Sequence, residues 1–400
     1  MRRARLVKAF GAVIWCMLSV GCSEGDGRPE TPVEPPPSHL PEAVALDEPP
    51  RLRVWLRDAA GAPIVESTGP CIVMPRVGGA QPLSLAKLAP AQARLSETGI
   101  QLGSRDFQCD ALDLVPGRGA ALRLDDVSYA GTLQLYRAGD GLAVINMIDM
   151  ETYLACVVAA EMPAGWPAEA LKAQAVAARS YALHTRQIRL GKRWHLMNTA
   201  ADQVYRGGPI DPRALDAVRK TRGEVLTRQN GLFPAFYHST CGGQTWSPEE
   251  ALNRKDYGFL KGATCTDCAE SPYYRWSAEA EAIELVDALN AIGKEIRVPL
   301  TAVKVTDDLP PAKRTVQISG AEHSVEVRVS DLRSMLGSDR VLSDRFTSRI
   351  ENGTIVIEGR GLGHGVGLCQ YGARGKAKNG WDYRRILRAY YQGTEFKTLY

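Results

Sequence analysis

The order of apolar and polar positions divides the chain into a β-rich first part and a mixed second part. From residue 51 to about residue 146, short segments alternate with a period of two and are separated by glycine and proline, which is typical of strands joined by tight turns. The clearest segments are 52–56, 121–124, 132–136 and 142–145. We expect residues 51–145 to form a mostly β region that packs on the part that follows.

A helical period follows and predicts a helix that ends at a carboxylate. Apolar residues recur at helical spacing from Tyr153 to Ala160, and Asp149 is a suitable N-cap for them. Pro163 cannot continue this helix, because proline lacks the amide hydrogen and clashes with the preceding turn. We therefore expect Glu161 to lie at the helix end.

Further helices are predicted behind this point. Pro167 suits the first position of a second helix, whose inner face is Leu171, Ala175, Ala178 and Ala182. A third helix is expected over residues 278–292, with an apolar side formed by Ile283, Leu285, Leu289 and Ile292. Strands are expected between residues 302 and 347, with helices near 330–336 and over 383–391. The whole pattern indicates an α+β fold of mixed sheets and a few packed helices.

Glu161 is the candidate catalytic residue. Met162 and Trp166 follow it and predict a partly apolar pocket. Burial disfavours the charged carboxylate and raises its pKa, which keeps part of the glutamate protonated near neutrality, as a general acid requires. From spacing alone, a surface glutamate before a tightly packed core helix remains the alternative.

Two long motifs carry a resemblance to a known family. The segments YLACVVAAEMPAGWPAEALKAQAVAARSYAL at 153–183 and GRGLGHGVGLCQYGARGKAKNG at 359–380 resemble the two strongest motifs of the SpoIID/LytB family. Weaker matches, including a turn at 202–208, extend the resemblance over about residues 122–396. Studied members of the family are lytic transglycosylases of peptidoglycan glycan strands. The resemblance thus implies a SpoIID-like catalytic region at 146–400.

The resemblance also implies a mechanism with one catalytic carboxylate, Glu161. Most glycosidases use two carboxylates, but in a lytic transglycosylase the C6 hydroxyl of muramic acid attacks the anomeric carbon and leaves a 1,6-anhydro end. The preferred strand in the family lacks stem peptides, so a cell-wall amidase is an expected partner. The residues expected to hold the glycan are Lys172, Arg179, Ser180, Tyr181, Gln203, Tyr205, Lys261, His364, Gln370 and Tyr371.

The second motif is dense in glycine, at positions 359, 361, 363, 365 and 367. Glycine is needed where the backbone turns through positive φ or closely approaches another group. No Lys-Ser/Thr pair or Rossmann pattern surrounds these glycines, so nucleotide binding is rejected. We expect the motif to present His364, Gln370 and Tyr371 from a close-packed turn.

One histidine and three cysteines have the ligand types and number of a closed structural zinc site: His238, Cys241, Cys265 and Cys268. Some members of the family hold zinc near the motif that matches the first two. An oxidising compartment leaves a disulfide among the cysteines open, and free thiols as well. Four protein ligands leave no position for water, so a metal here would stabilise the fold and take no part in the chemistry.

The first 22 residues predict export. The chain has a basic start, followed by an apolar run at 9–20 that ends at Gly21 and Cys22. This run is typical of a secretory signal and is too short for a membrane span. Cys22 is the expected lipidation site of a lipoprotein signal. Ordinary secretion is the alternative, because the leucine lies one position earlier than in the usual lipoprotein pattern. Eight prolines in 23–50 predict a tether or a disordered N-terminus. In this compartment Cys71 and Cys109 either pair or remain buried thiols.

Charge narrows the set of partners. Four of the 49 basic residues lie in the first eight positions, so the chain beyond residue 22 carries 45 basic and 45 acidic residues. This balance does not support a nucleic-acid partner or a polybasic membrane patch. We expect a periplasmic or cell-envelope protein, held by a lipid anchor, that acts on peptidoglycan.

Two rival functions stay open. The first is a non-catalytic cell-wall-binding or amidase-activating lipoprotein, whose action would not depend on Glu161. The second is a zinc hydrolase that uses His238 and the cysteines and adds water across the bond that it cleaves.

Overall fold

The computed structural model describes residues 40–59, 62–306 and 309–400. The predicted signal, the lipidation site Cys22 and most of the predicted linker lie outside these residues. In the described ranges the chain forms twenty-four strands and eight α-helices, which confirms the predicted α+β class. Within the same ranges, no helix has both the length and the apolar character needed to cross a bilayer.

The first part of the described chain is built from strands. Their bounds are Arg51–Ala59 (β1), Ile64–Ser67 (β2), Cys71–Pro75 (β3), Leu83–Leu85 (β4), Ala91–Leu95 (β5), Ile100–Leu102 (β6), Arg105–Phe107 (β7), Ala111–Pro116 (β8), Leu122–Leu124 (β9), Val127–Tyr129 (β10), Thr132–Ala138 (β11) and Gly141–Asp149 (β12). They cover every segment in which the sequence alternates most clearly. Cys71 and Cys109 are buried free thiols in this part.

The middle of the chain carries most of the helical residues. Its elements are Met150–Glu161 (α1), Ala168–Ile188 (α2), Leu196–Met197 (β13), Pro212–Lys220 (α3), Glu224–Arg228 (β14), Gly231–Leu232 (β15), Tyr237–His238 (β16) and Pro248–Leu252 (α4). A 3-10 turn follows at Lys255–Tyr257. The short strand β13 pairs in parallel with β1, which ties this part to the first sheet.

The last part alternates strands and helices. Its elements are Trp276–Glu281 (β17), Ala282–Ala291 (α5), Ala302–Val305 (β18), Thr315–Ser319 (β19), Ser324–Arg328 (β20), Val329–Leu336 (α6), Phe346–Glu351 (β21), Thr354–Gly359 (β22), Leu368–Cys369 (β23), Gln370–Lys378 (α7), Tyr383–Tyr390 (α8) and Glu395–Thr398 (β24). A 3-10 turn lies at Pro311–Lys313.

Two larger sheets and four small ones join these strands. The seven-stranded sheet has the order β13-β1-β12-β11-β8-β3-β4, and the six-stranded sheet has the order β10-β9-β2-β5-β6-β7. The small sheets are β15-β14-β24, β16-β23, β17-β22-β21 and β18-β19-β20. The β16–β23 pair is short but joins segments far apart in sequence, and it positions the site described below.

The apolar side chains form two large cores. The main one runs from Ala43 to Leu399 and joins the β-rich first part to α1, α2, α3 and α8. The second contains only residues between Ala280 and Ile357. The region expected from sequence as one unit at 146–400 therefore includes a segment, roughly 276–359, with a hydrophobic core of its own.

The α1 and α2 helices form as the sequence predicts, with small differences. Asp149 caps α1 by accepting a hydrogen bond from the Thr152 amide, and α1 ends at Glu161. Pro167 is the residue before α2 rather than its first member. The predicted inner face of α2 is buried at all four positions.

The predicted helix at 278–292 differs from α5 in extent and orientation. Residues 276–281 pair with β22 as strand β17, so the helix begins only at Ala282. Leu285 and Leu289 are buried, whereas Ile283 and Ile292 are half exposed. The apolar side expected from sequence is therefore correct for the two leucines and wrong for the two isoleucines.

Candidate active site

Two short strands bring distant motifs together. The β16 strand pairs in parallel with β23, so that Tyr237 lies opposite Leu368 and His238 opposite Cys369. The α7 helix starts directly after β23 at Gln370. Side chains at successive strand positions point to opposite faces. This pairing therefore brings Tyr237 and the start of α7 toward Glu161, at the end of α1.

The glycines of the second motif make this approach possible. Gly361, Gly363, Gly365 and Gly367 all have positive φ, as the sequence predicts for this turn. At Gly367, a Cβ atom would lie 2.0 Å from the Phe236 carbonyl oxygen, so no larger residue fits. The turn thus depends on glycine for both its dihedral angles and its close packing.

The Glu161 carboxylate is surrounded by hydrogen-bond donors. Its Oε1 accepts from the Val204 amide at 2.9 Å and from the Tyr237 hydroxyl at 3.2 Å. Its Oε2 accepts from the Gln370 amide nitrogen at 3.4 Å. The glutamate as a whole is only partly buried.

Burial raises the pKa of Glu161 above its ordinary value. The hydrogen bonds from Val204, Gln370 and Tyr237, and the positive charge of Arg206, favour the carboxylate and oppose part of this rise. Burial likewise raises the pKa of Tyr237 well above its ordinary value, and the nearby Glu161 adds to that rise. Tyr237 therefore stays protonated and donates, while Glu161 can hold a proton at a higher pH than an exposed glutamate does.

Gln203 and His364 bond to Tyr237 and hold it in place. The Gln203 amide nitrogen donates to the Tyr237 hydroxyl at 3.1 Å, and the Gln203 oxygen accepts from Tyr153. The His364 Nε2 donates to the Tyr237 carbonyl oxygen at 3.0 Å, while its Nδ1 accepts from the Val366 amide. Burial lowers the pKa of His364 to about 3, so the ring is neutral. Gln203 and His364 therefore act on Glu161 through Tyr237.

An aromatic and basic surface lies next to Glu161. Trp166 follows the end of α1 and meets the Tyr371 ring edge-on, with 4.8 Å between ring centroids. The Arg374 guanidinium lies 5.5 Å from the Trp166 ring centroid and 5.8 Å from that of Tyr371. All three side chains are partly exposed. The Arg374 guanidinium also pairs with the Glu270 carboxylate at 3.2 Å. This surface offers ring faces and a partly paired cation, which are groups that can contact a sugar bearing a carboxylate.

Three residues predicted to contact glycan lie instead in the core. Arg179 is fully buried, and its guanidinium bonds both carboxylate oxygens of Glu151 at 2.8 and 2.9 Å. The Ser180 hydroxyl donates to the Val176 carbonyl oxygen and accepts from the Leu226 amide. Tyr205 is buried and donates to Asn146 at 2.7 Å. The polar atoms of these three residues bond to other groups of the protein. The residues therefore stabilise the packing of the helices.

Three other predicted contacts lie apart from the Glu161 contacts. The Tyr181 hydroxyl donates to Asp202, and Lys172 forms an ion pair with Glu169 at 2.6 Å. Lys261 is exposed. Of the ten predicted glycan contacts, the structure brings Gln203, His364, Gln370 and Tyr371 to the site.

Sequence reasoning missed Tyr237, the Val204 amide and the Trp166–Arg374 surface. Tyr237 directly precedes His238, in a segment singled out for its histidine and cysteine. Alternation along a strand puts these two neighbours on opposite faces, but the sequence does not show that the face of Tyr237 meets Glu161.

A cluster of four buried cysteines lies beside this site. The sulfur atoms of Cys241, Cys265, Cys268 and Cys369 all lie within 4.8 Å of one another, a group able to hold a metal ion. His238 was expected in this set and is not a member of it. Its Nδ1 donates to the Val366 carbonyl oxygen at 3.0 Å, and strand pairing places Cys369 at the cluster instead.

The surroundings of the cluster suit metal-bound thiolates. The Cys369 sulfur accepts from the amides of Cys241 and Gly372, each at 3.3 Å, and the Tyr390 hydroxyl lies 3.1 Å from the Cys265 sulfur. A Cβ on Gly372 would lie 2.5 Å from that sulfur. The sulfur atoms of Cys241 and Cys268 lie 3.5 Å apart. This distance is much longer than the ~2.05 Å sulfur–sulfur bond of a disulfide. It is close to the ~3.8 Å expected between two thiolate sulfurs bound to one tetrahedral zinc ion.

Comparison with known proteins places the chain in a family. The family described as Stage II sporulation protein (SpoIID) matches residues 138–228, and a domain of unknown function (DUF8618) matches residues 249–367. The chain is 31% identical to Stage II sporulation protein D of Bacillus subtilis over 268 residues, which are 63% of this chain and 75% of that protein. The chain belongs to the SpoIID family.

Other relatives support this membership. The chain is 32% identical to an uncharacterized protein of Brachyspira hyodysenteriae over 275 residues, covering 68% of this chain and 73% of that protein. It is 31% identical to the amidase enhancer of Bacillus subtilis over 283 residues, covering 60% of this chain but only 39% of that larger protein. The SpoIID match includes Glu161, Gln203 and Tyr205, and the DUF8618 match includes the whole segment with its own core.

We expect Glu161→Gln to stabilise the protein at pH 8 and not at pH 4. A glutamate whose pKa is raised in the folded state is ionised more readily when unfolded, so wild-type stability falls as pH rises through that range. The glutamine variant avoids this loss, so its melting temperature should exceed that of the wild type at pH 8.

The melting difference should shrink toward pH 4, where the glutamate is protonated in both states. Glu279→Gln, at an exposed strand position, is the matched control and should show no such pH-dependent gain. A Glu161→Gln protein that melts below wild type at every pH would contradict the assignment of a carboxylate disfavoured by burial.

Proposed function

We propose that this protein is a lytic transglycosylase that cleaves peptidoglycan glycan strands with Glu161 as its single acid and base. The observation that carries the proposal is the setting of Glu161: the residue as a whole is only partly buried, burial raises its pKa, and three neutral donors are hydrogen-bonded to its carboxylate. Such a group can hold a proton at a higher pH than an exposed glutamate does and release it to a substrate. Family membership supports a role in the cell wall.

The mechanism uses Glu161 twice. In its protonated form it donates to the glycosidic oxygen, and the bond from that oxygen to the anomeric carbon of muramic acid breaks. The resulting carboxylate accepts the proton of the muramic C6 hydroxyl as this oxygen attacks the anomeric carbon. The products are a free hydroxyl on the leaving sugar and a 1,6-anhydro end, and Glu161 is protonated again. Tyr237 and Gln370 hold the carboxylate through both steps, and no water enters the product.

The surface beside Glu161 supports a glycan substrate. Trp166 and Tyr371 offer aromatic surface for sugar rings, and Arg374 adds a positive charge next to them. Arg206 contributes a second positive charge near the Glu161 carboxylate. A muramic acid without its stem peptide carries a free carboxylate, which these cations would attract. This chemistry favours peptide-free strands, so an amidase would act before this protein.

The cellular setting follows from the same proposal. A glycan-strand lyase must meet the cell wall, so the protein would act outside the cytoplasm, in the periplasm or cell envelope. Similarity to an amidase enhancer supports a partnership with a cell-wall amidase. We retain lipidation at Cys22 as the proposed anchor.

We further propose that the cysteine cluster holds a structural zinc ion. Cys241, Cys265, Cys268 and Cys369 would supply four thiolates, a closed set that leaves no position for water. When bound, the metal would hold the β16–β23 pair to residues 265–268. This ligand set argues against the zinc-hydrolase alternative, in which His238 would bind the metal.

The first experiment is mass spectrometry of peptide-free glycan strands incubated with the full-length protein or with its Glu161→Gln variant. We expect 1,6-anhydro-muramic ends from the wild type and a loss of at least 10³-fold in rate for the variant, because general acid–base catalysis contributes about 10²–10⁴-fold per proton transfer. Hydrated reducing ends would point to a hydrolase. Absence of cleavage, together with stimulation of an amidase by both proteins, would replace the proposal with the amidase-activating alternative.

A second prediction concerns Tyr237→Phe. Loss of the hydroxyl removes a donor that favours the Glu161 carboxylate, so the pKa of Glu161 should rise further and the alkaline limb of kcat/KM should move to higher pH. The rate at the optimum should fall by about tenfold, the cost of one charge-assisted hydrogen bond. Tyr383→Phe is the matched control, because its hydroxyl also donates to a carboxylate, that of Glu224 at 2.9 Å. If the alkaline limb of kcat/KM does not shift, the result would contradict a role for Tyr237 in the mechanism.

The metal proposal predicts one zinc per chain by elemental analysis and its loss in Cys369→Ser. A strong chelator should lower the melting temperature, while cleavage by the protein that remains folded should persist. Cys156→Ser, which changes a buried thiol outside the cluster, is the control and should retain the metal. Full zinc content in Cys369→Ser would contradict the assigned ligand set.

A further inference from the structure

A cleft rich in arginine lies in the segment that has its own hydrophobic core. It has a volume of about 590 Å³, and its lining includes Arg275, Trp276, Arg314, Arg345, Phe346 and Arg360. The cleft lies at the end of the β17-β22-β21 sheet, where Trp276 and Phe346 both pair with Gly359. All of its lining residues fall within the 249–367 match.

The cleft carries an excess of positive charge. Four guanidinium groups line it, and the carboxylate among its lining residues, Glu358, lies 3.1 Å from the Arg349 guanidinium outside the cleft. The remaining chain is close to neutral, so this excess is local. A concave surface of one charge sign concentrates oppositely charged ligands.

Backbone contacts help to hold two of the arginines in place. Arg345 donates to the carbonyl oxygens of Cys241 at 2.7 Å and Gln244 at 3.2 Å. Arg314 donates to the carbonyl oxygens of Leu309 and Asp344. Burial lowers the pKa of Arg345, and the charges of Arg360 and Arg314 lower it further. These neighbouring cations would gain from a shared anion.

An aromatic wall completes the cleft. The Trp276 indole nitrogen donates to the Gly361 carbonyl oxygen at 2.8 Å, which fixes the ring. A Cβ on Gly359 would lie 2.1 Å from this ring, so the backbone packs directly on it. A fixed aromatic ring beside guanidinium groups suits a sugar that carries a carboxylate, since the ring contacts the sugar and the guanidinium groups bind the carboxylate. The volume is within the ~300–1,000 Å³ typical of ligand sites.

The cleft lies close to residues that support the candidate active site. A smaller cavity shares Arg345 and Arg360 with it and is lined further by His364. His364 bonds the Tyr237 carbonyl oxygen, and the Tyr237 hydroxyl bonds Glu161. About ten residues join Arg360 to Gln370, so the two places are at most ~36 Å apart. A single glycan strand of several sugars is long enough to span this distance.

We propose that this arginine cleft is a second glycan-binding site, which takes a carboxylate-bearing sugar of the same strand that reaches Glu161. The choice of glycan as ligand rests on the proposed function, whereas the need for an anion rests on the cleft alone. Binding here would hold the strand while its reacting sugar lies at Glu161, and it would select strands whose muramic carboxylates are free.

The test uses fluorescence anisotropy of end-labelled, peptide-free glycan strands with the full-length Glu161→Gln protein, so that binding is read without cleavage. Arg275→Gln with Arg360→Gln removes two exposed cations from the cleft. We expect this double variant to bind about tenfold more weakly. Arg297→Gln with Lys304→Gln removes two exposed cations elsewhere in the same segment and should change the Kd by less than about twofold. Both pairs are at the surface, and equal melting temperatures will verify folding.

Two further ligands separate the possible sources of the anion. Strands whose carboxylates have been amidated should bind the parent protein at least as weakly as natural strands bind the cleft variant, because amidation also removes the charge that Arg374 and Arg206 would attract. Poly(glycerol phosphate) should bind more weakly than the natural strand.

Equal binding by cleft and control variants, or undiminished binding of amidated strands, would overturn the proposal. Arginine-dependent binding of the phosphate polymer alone would overturn the choice of glycan. Failure of cleavage by the wild type would leave this binding result intact, so the two proposals are tested separately.

Discussion

The parallel pairing of Tyr237 and His238 with Leu368 and Cys369 is the contact on which both the candidate active site and the cysteine cluster depend. It joins two segments more than a hundred residues apart, with only two paired positions on each strand. Such a short ladder contributes little stability by itself, so neighbouring interactions must hold it. Glycines that permit positive φ allow the chains to approach, and a metal bound to the cysteine cluster would fix the end of the pair. A cluster with no role in the chemistry would then determine the geometry of Glu161.

The environment of Glu161 balances two opposing effects. Burial penalises the charged form, whereas three hydrogen-bond donors and a nearby arginine favour it. Complete burial without donors would leave a permanently protonated acid, unable to accept a proton in the second step. Full exposure would leave a carboxylate with no proton to donate in the first. A group that must be acid and then base within one cycle requires a pKa between these limits. The stability lost by placing an ionisable group there is the cost of that function.

Local rules predicted much of the helical part of the site and little of its long-range contacts. Proline chemistry located the end of α1 at Glu161, and residue size located the inner face of α2. The resemblance placed Arg179 among the glycan contacts, whereas the structure buries it against Glu151, a partner nearly thirty residues away. Tyr237 and Cys369 were not predicted, because both reach their sites through the pairing of two strands that are distant in sequence. Which side of a strand faces a site depends on pairing register, and a single sequence does not contain that register.

The arginine cleft offers a physical reason for the segment with its own core. A lyase that binds only the reacting sugar must obtain all of its positioning from contacts near Glu161, many of which are shared by the ground state and the transition state. Contacts with remote sugars instead supply binding energy that can orient the reacting bond. The segment with its own core contacts the rest of the protein where Arg345 bonds the Cys241 carbonyl oxygen, beside the cysteine cluster. A metal bound to that cluster would therefore hold the base of the proposed cleft as well as the β16–β23 pair, and would link the binding of a distant sugar to the position of Glu161.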